Sequence, residues 1–135
     1  MSEQNLPESI LVELNLASGL RAFFDQEKLR QVIVNLINNA VHALEDERSN
    51  GKLLRIATCL LDDEYEIRIH DNGIGMPDEV KEKIFEPLFS TKGFGVGLGM
   101  VIVKNIVERH CGKVIIESKQ GEGTTVILRM PIHLP

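Results

Sequence analysis

Between Gln26 and Glu45 the apolar residues Leu29, Val32, Ile33, Leu36, Ile37, Ala40 and Leu44 recur at helical spacing. A segment of that length with one apolar stripe is a helix that has to bury one face against something else. Asp25 fits its N-cap, with Lys28 as the N3 residue. The flanks indicate the other layer. Ile10 to Leu16 alternate like a strand, Gly19-Leu20 turn the chain, and Arg21 to Phe24 offer a second short strand. Leu53 to Leu61 form an apolar β-run and Asp62-Asp63 close a hairpin. Tyr65, Ile67 and Ile69 then alternate with Glu66, Arg68 and His70 as a half-buried strand does. Pro77 and Asp78 start a short helix through Ile84. A second long helix follows Gly93–Gly99, with Val101, Ile102, Val103, Ile106 and Val107 as its apolar face and Gly112 as its stop. Lys113 to Ser118 and Thr124 to Met130 make a hairpin around Gly121-Glu-Gly123. Strands first and last with long helices between predict an α/β fold. Its form is a two-layer sandwich, a mixed and mostly antiparallel sheet covered by helices on one face.

Composition narrows the partners. The 135 residues, 43% hydrophobic and 26% charged, suit a single soluble domain over 1–135 with one core. A formal charge of −5 disfavours nucleic acid and anionic membrane surfaces, which attract mainly excess Lys and Arg. Cys59 and Cys111 lack the paired spacing of a zinc site and read as reduced packing residues, as in a cytoplasmic protein. No apolar run approaches the roughly 20 residues that span a bilayer, so the domain is expected to make no membrane contact, although its parent could be anchored upstream. The isolated domain is expected to be a monomer.

Three polar and glycine-rich patches carry the chemistry. Asn35, Asn39 and His42 lie within about 60° of one another on the first long helix, since i+4 and i+7 nearly return to one face. A solvated helix face explains such a stripe, but Asn35, Asn38 and Asn39 together weaken helix propensity in a way that Glu or Lys would not. An Asn oxygen is also a hard ligand suited to Mg2+, which takes its remaining oxygens from water and phosphate. Asp71-Asn-Gly73-Ile-Gly75 directly follows a strand. It reads as an ordinary turn, or as a loop whose glycines allow close approach of a flat ligand while Asp71 accepts from an exocyclic amine. Gly95-Val-Gly97-Leu-Gly99 opens the second helix, where backbone N–H groups and the helix dipole favour phosphate. A hinge has the same composition, and the stretch matches neither the dinucleotide nor the P-loop pattern. Lys92 could add a positive charge at the terminal phosphate. Phe85 and Phe89, around Pro87, read as anchors of a flap. Ser90 and Thr91 lack a neighbouring base, and no nucleophile constellation is visible.

Taken in order, these patches resemble the catalytic and ATP-binding domain of sensor histidine kinases, within the gyrase, chaperone, kinase and MutL (GHKL) superfamily. Leu29 to Ala40 looks like the N box, Asp71 to Gly75 the G1 box, Ile84 to Lys92 the F box and Gly95 to Gly99 the G2 box. The resemblance covers residues 11 to 131 and implies ATP and Mg2+ as ligands. It implies that Asn39 coordinates Mg2+ and that Asn35 assists at the phosphates. Asp71, supported by Gly73 and Gly75, would bind the adenine amine. Gly95, Gly97, Leu98 and Gly99 would wrap the phosphates, with Lys92 acting in catalysis beside Asn35. Thr124 would approach the adenine and His42 the phosphates.

Position 35 separates subclasses. ATP-hydrolysing relatives carry a water-activating Glu there, whereas an amide takes up no proton near neutral pH, so phosphoryl transfer is favoured over hydrolysis. The family's acceptor motif, His-Glu-x-x-x-Pro-Leu, is absent. The resemblance therefore implies a partner, the His-bearing dimerisation domain of the same kinase, and through it a response regulator. The compact Ser-Thr-Lys-x-x-Gly stretch resembles nitrogen-regulator-type kinases and implies micromolar or weaker nucleotide affinity, roughly −8 kcal/mol or less favourable.

Overall fold

Asp25 caps the first long helix, as its position predicts. In a computed structural model its side chain accepts a hydrogen bond from the Lys28 N–H at 3.1 Å, and helix α1 runs Gln26–Leu44. The structure describes residues 10–15, 25–45, 51–86 and 99–132. The remaining elements are β1 (Leu11–Asn15), β2 (Leu53–Leu61), β3 (Glu64–Asp71), α2 (Asp78–Lys83), α3 (Gly99–Arg109), β4 (Lys113–Lys119) and β5 (Gly123–Pro131). The expected strand from Arg21 to Phe24 lies outside the described residues, as do Phe89, Lys92, Gly95, Gly97 and Leu98.

The five described strands form one sheet in the order β1-β2-β3-β5-β4. β1 pairs parallel to β2 and every other pair is antiparallel. A parallel pair needs a crossover of a dozen or more residues, and the long stretch containing α1 supplies it. Register puts Ile56, Ile69 and Val126 in one row across β2, β3 and β5, with Leu54 two residues from Ile56 on the same face of β2. Val32, Leu36 and Leu44 of α1 and Val103 and Val107 of α3, all at most 1% exposed, pack into the same core as Leu54 and Leu128. Burying each such aliphatic side chain stabilises the fold by roughly 1.5–3 kcal/mol, which exceeds anything helix propensity contributes here.

The predicted stripes hold with local shifts. Leu29, Ile33 and Ile37 are only partly buried, while Val41 and Ala43 are buried beyond the expected set. In α3 the buried residues are Met100, Val103, Ile106 and Val107; Val101 and Ile102 stay partly exposed. One expectation is corrected. Gly112 is not the left-handed residue that stops α3; that residue is Cys111, at φ +65°. The Cys111 N–H donates to Glu108 O and the Gly112 N–H to Val107 O, the two bonds of a Schellman stop. Gly112 is required for closeness instead, because a Cβ there would lie 2.7 Å from Arg129 O and 2.9 Å from Val107 Cγ1.

Candidate functional site

β3 ends by delivering Asp71 beneath the helices, and the turn after it is held in place from two sides. Asn72 Oδ1 accepts from the Leu53 N–H at 2.7 Å and its Nδ2 donates to Gly51 O at 2.7 Å, which ties the turn to the start of β2. On the opposite side the Gly121 N–H donates to Ile74 O, and the Met76 N–H donates to Ser118 Oγ at 2.9 Å. Ser118 in turn donates to Gly123 O and pairs with Thr124 Oγ1 at 2.7 Å. Gly75, at φ +66°, passes so close to this hairpin that a Cβ would stand 2.0 Å from Lys119 O. The turn glycines therefore serve the contact of backbone with backbone that sets Asp71.

Asp71 is 4% exposed. Its Oδ1 accepts from the Gly73 N–H at 2.9 Å and the carboxylate also accepts from the Thr124 N–H. Burial outweighs both bonds and lifts its pKa from 3.8 to about 6. Ionised at neutral pH, it is a strong acceptor at the wall of a cleft formed by Leu36, Asn39, Ala40, Met76, Ile84, Met100 and Thr124, among others. The cleft opens to solvent, and apolar side chains dominate its walls. A flat apolar slot with one buried carboxylate suits a heterocycle that presents an amine.

α1 and α3 also meet at this cleft, through Asn39 and Met100 in its lining. A Cβ on Gly99 would stand 3.9 Å from Asn39 Oδ1, so the first residue of α3 lies beside the Asn39 amide. That amide makes no hydrogen bond to any described residue. The N-terminus of α3 is the positive end of its dipole. A neutral oxygen donor beside it suits a magnesium-bound anion.

The structure thus brings Asn39, Asp71 and Thr124 to one cleft, with Gly99 beside Asn39. Gly73 and Gly75 build the turn that carries Asp71. Asn35, half-buried, and His42, exposed in the last turn of α1, do not line the cleft among the described residues. Ser118 was missed by sequence reasoning, since a single serine in a strand gives no signal. Met76, Ile84 and Met100 were missed as lining residues for the same reason, their apolar character being equally expected in a core. His70 stands apart on the open sheet face, where Nδ1 pairs with Thr125 Oγ1 at 2.8 Å and burial lowers its pKa.

The family model described as "Histidine kinase-, DNA gyrase B-, and HSP90-like ATPase" matches residues 24–134. The chain belongs to this family. Among curated relatives, this ATP-binding catalytic domain is 34% identical over 129 residues to sporulation kinase B of Bacillus subtilis (strain 168). It is also 39% identical over 110 residues to the signal transduction histidine-protein kinase AtoS of Escherichia coli (strain K12). The alignments take in 95% and 81% of the chain but 29% and 17% of those proteins, so the chain spans under a third of the relatives it matches. Among solved structures, the catalytic domain of histidine kinase ThkA superposes with a TM-score of 0.79 at 30% identity, covering 92% of this chain and 80% of that one. ThkA in complex with the response regulator TrrA matches with a TM-score of 0.75 at 27% identity, covering 92% of this chain and 34% of that one. No described helix is long and apolar enough to cross a membrane.

Proposed function

We propose that this domain holds Mg-ATP so that its γ-phosphate can be transferred to a histidine carried by a separate helical dimerisation domain of the same kinase, which passes it on to a response regulator. The observation that carries this reading is that the Asp71 acceptor and the Asn39 amide line one apolar cleft. The relatives named as histidine kinases, and the ThkA complex with a response regulator, support the same direction.

Asp71 accepts from the adenine amine, Thr124 flanks the ring, and Leu36, Met76 and Met100 exclude water from its faces. Asn39 Oδ1 is the residue that would hold magnesium. No group of three His, Cys, Asp or Glu that could hold a metal exists among the described residues, which fits an ion held mainly by phosphate oxygens and water. When bound, magnesium neutralises charge on the phosphate chain. The Gly99 N–H and the α3 dipole face the phosphates, and Gly95, Gly97, Leu98 and Lys92 extend that surface by their motif. His42 stands one turn beyond Asn39 and serves the outer phosphates by the same resemblance. In the transfer, a ring nitrogen of the acceptor histidine forms a bond to the γ-phosphorus while the bond from that phosphorus to the β–γ bridging oxygen breaks, and ADP leaves with the electron pair. Asn35 cannot take a proton from water, so the site favours transfer over hydrolysis. Catalysis is then a matter of positioning and charge neutralisation, with the domain working in the cytoplasm.

The test mixes this domain with its cognate histidine-bearing domain and γ-labelled ATP. Label should appear on the histidine, and Asn39→Asp should abolish it. Confirmed ATP binding without transfer would refute the phosphotransfer reading, and steady phosphate release by the isolated domain would point to an ATPase instead.

A further inference from the structure

The Lys104 ammonium lies over the ring of Phe85, 5.1 Å from its centroid. Neither residue lines the cleft, but each adjoins one that does. Phe85 follows Ile84, which lines the cleft, and both pack against the core. Lys104 sits one turn along α3 from Met100, which lines the cleft from the other side and is 5% exposed. The Glu86 N–H donates to Lys83 O at 2.9 Å, which closes the end of α2 and presents Phe85 to α3. No acidic side chain among the described residues pairs with Lys104, so its partner there is the ring face.

We propose that Lys104 is a positioning residue for nucleotide binding: its cation–π contact with Phe85 braces Ile84 against Met100 and fixes the width of the slot that receives the purine. The inference rests on the nucleotide reading of the cleft. A ring quadrupole attracts a cation over its face, and at an exposed site the contact is weak enough to tune the slot without determining the fold. Loss of the brace leaves the cleft residues in place but lets the α2 end and α3 separate. The ligand must then bring them together itself, and its affinity falls.

The test measures ATP and adenosine affinity by NMR titration for Lys104→Met, Lys104→Arg, Phe85→Leu and the double variant Lys104→Met/Phe85→Leu, with thermal unfolding to confirm folding. Lys104→Met retains the stem without the charge, and its surface position keeps it folded should Phe85→Leu fail. We expect about two- to five-fold weaker binding of both ligands in Lys104→Met, from the strength of an exposed cation–π contact. Arg should restore it, and the double variant should lose no more than the worse single one. Three results would overturn the brace: a loss confined to ATP, which would place Lys104 at the phosphates; unchanged affinity for both ligands; or losses that simply multiply in the double variant. Asp71→Asn separates the two levels. If it weakens ATP binding about 10-fold or more while Lys104→Met changes nothing, only the brace fails; if it binds ATP like the parent, the site itself is wrong.

Discussion

Replacing Asp71 with Asn should make the domain more stable and weaken its hold on its ligand, and both effects follow from burial. The carboxyl is 4% exposed, and burial raises its pKa from 3.8 to about 6 against the opposing bonds from the Gly73 and Thr124 N–H groups. At about 1.4 kcal/mol per pH unit, the ionised group at pH 7 destabilises the folded state by about 3 kcal/mol. Because the folded pKa lies above the unfolded one, the folded state binds the proton more tightly. Stability therefore rises as pH falls from about 6 to about 4 and is independent of this group below that. Asn removes the charge but offers one acceptor oxygen where the carboxylate had two, at a cost of about 1 kcal/mol. The variant should thus be about 2 kcal/mol more stable at pH 7, with the advantage gone near pH 4. Urea unfolding of both proteins between pH 4 and pH 8 measures it. Calorimetry should show ATP affinity reduced by about 10- to 100-fold, the worth of a charge-assisted hydrogen bond of roughly 1.5–3 kcal/mol. A variant less stable than the parent at pH 7, or an advantage that persists undiminished at pH 4, would refute the argument from burial.

Three further outcomes are expected. Gly75→Ala sets a Cβ 2.0 Å from Lys119 O at a left-handed φ, so it should cost more than about 2 kcal/mol in denaturant unfolding and weaken ATP binding by shifting the turn that bears Asp71. Cys111→Gly relieves a left-handed side chain at the end of α3 and should raise stability by about 0.5–1 kcal/mol with ATP affinity unchanged; destabilisation would show that the thiol makes a needed contact. Glu66, 3% exposed, pairs with Arg68 and Arg129, and those bonds hold its pKa below 4.5. Its stabilisation is therefore present above pH 4.5 and lost as pH falls through the depressed value, and Glu66→Gln should destabilise by about 1–3 kcal/mol at pH 7 and by much less in acid.

What the sequence made legible is what depends on neighbours along the chain. The period of α1, its Asp25 cap and the alternation that carries β3 to Asp71 are local signals, and each element forms where its residues indicate. Features that depend on distant partners were hidden. Cys111 occupies a left-handed site while Gly112, the next residue, is needed for contact with Arg129 and Val107, a competition that no local preference reveals. Gly75 reads as a loop glycine from its neighbours, yet its reason is Lys119, which the fold brings from a different hairpin. Within the site, Asp71 and Asn39 were visible because polar residues in such places are uncommon. Ser118, Met76 and Met100 were invisible because only three-dimensional packing separates a cleft wall from a core.

Asp71 and Thr124 ride on the strands, whereas Asn39 and Gly99 ride on the two long helices. A nucleotide lying along the cleft would therefore be fastened to both layers at once, purine end to one and phosphate end to the other. Occupancy would then work as a rivet through the sandwich: departure of the triphosphate would loosen the grip of helices on sheet, and a neighbouring domain could sense a full or empty cleft through the stiffness of the whole body.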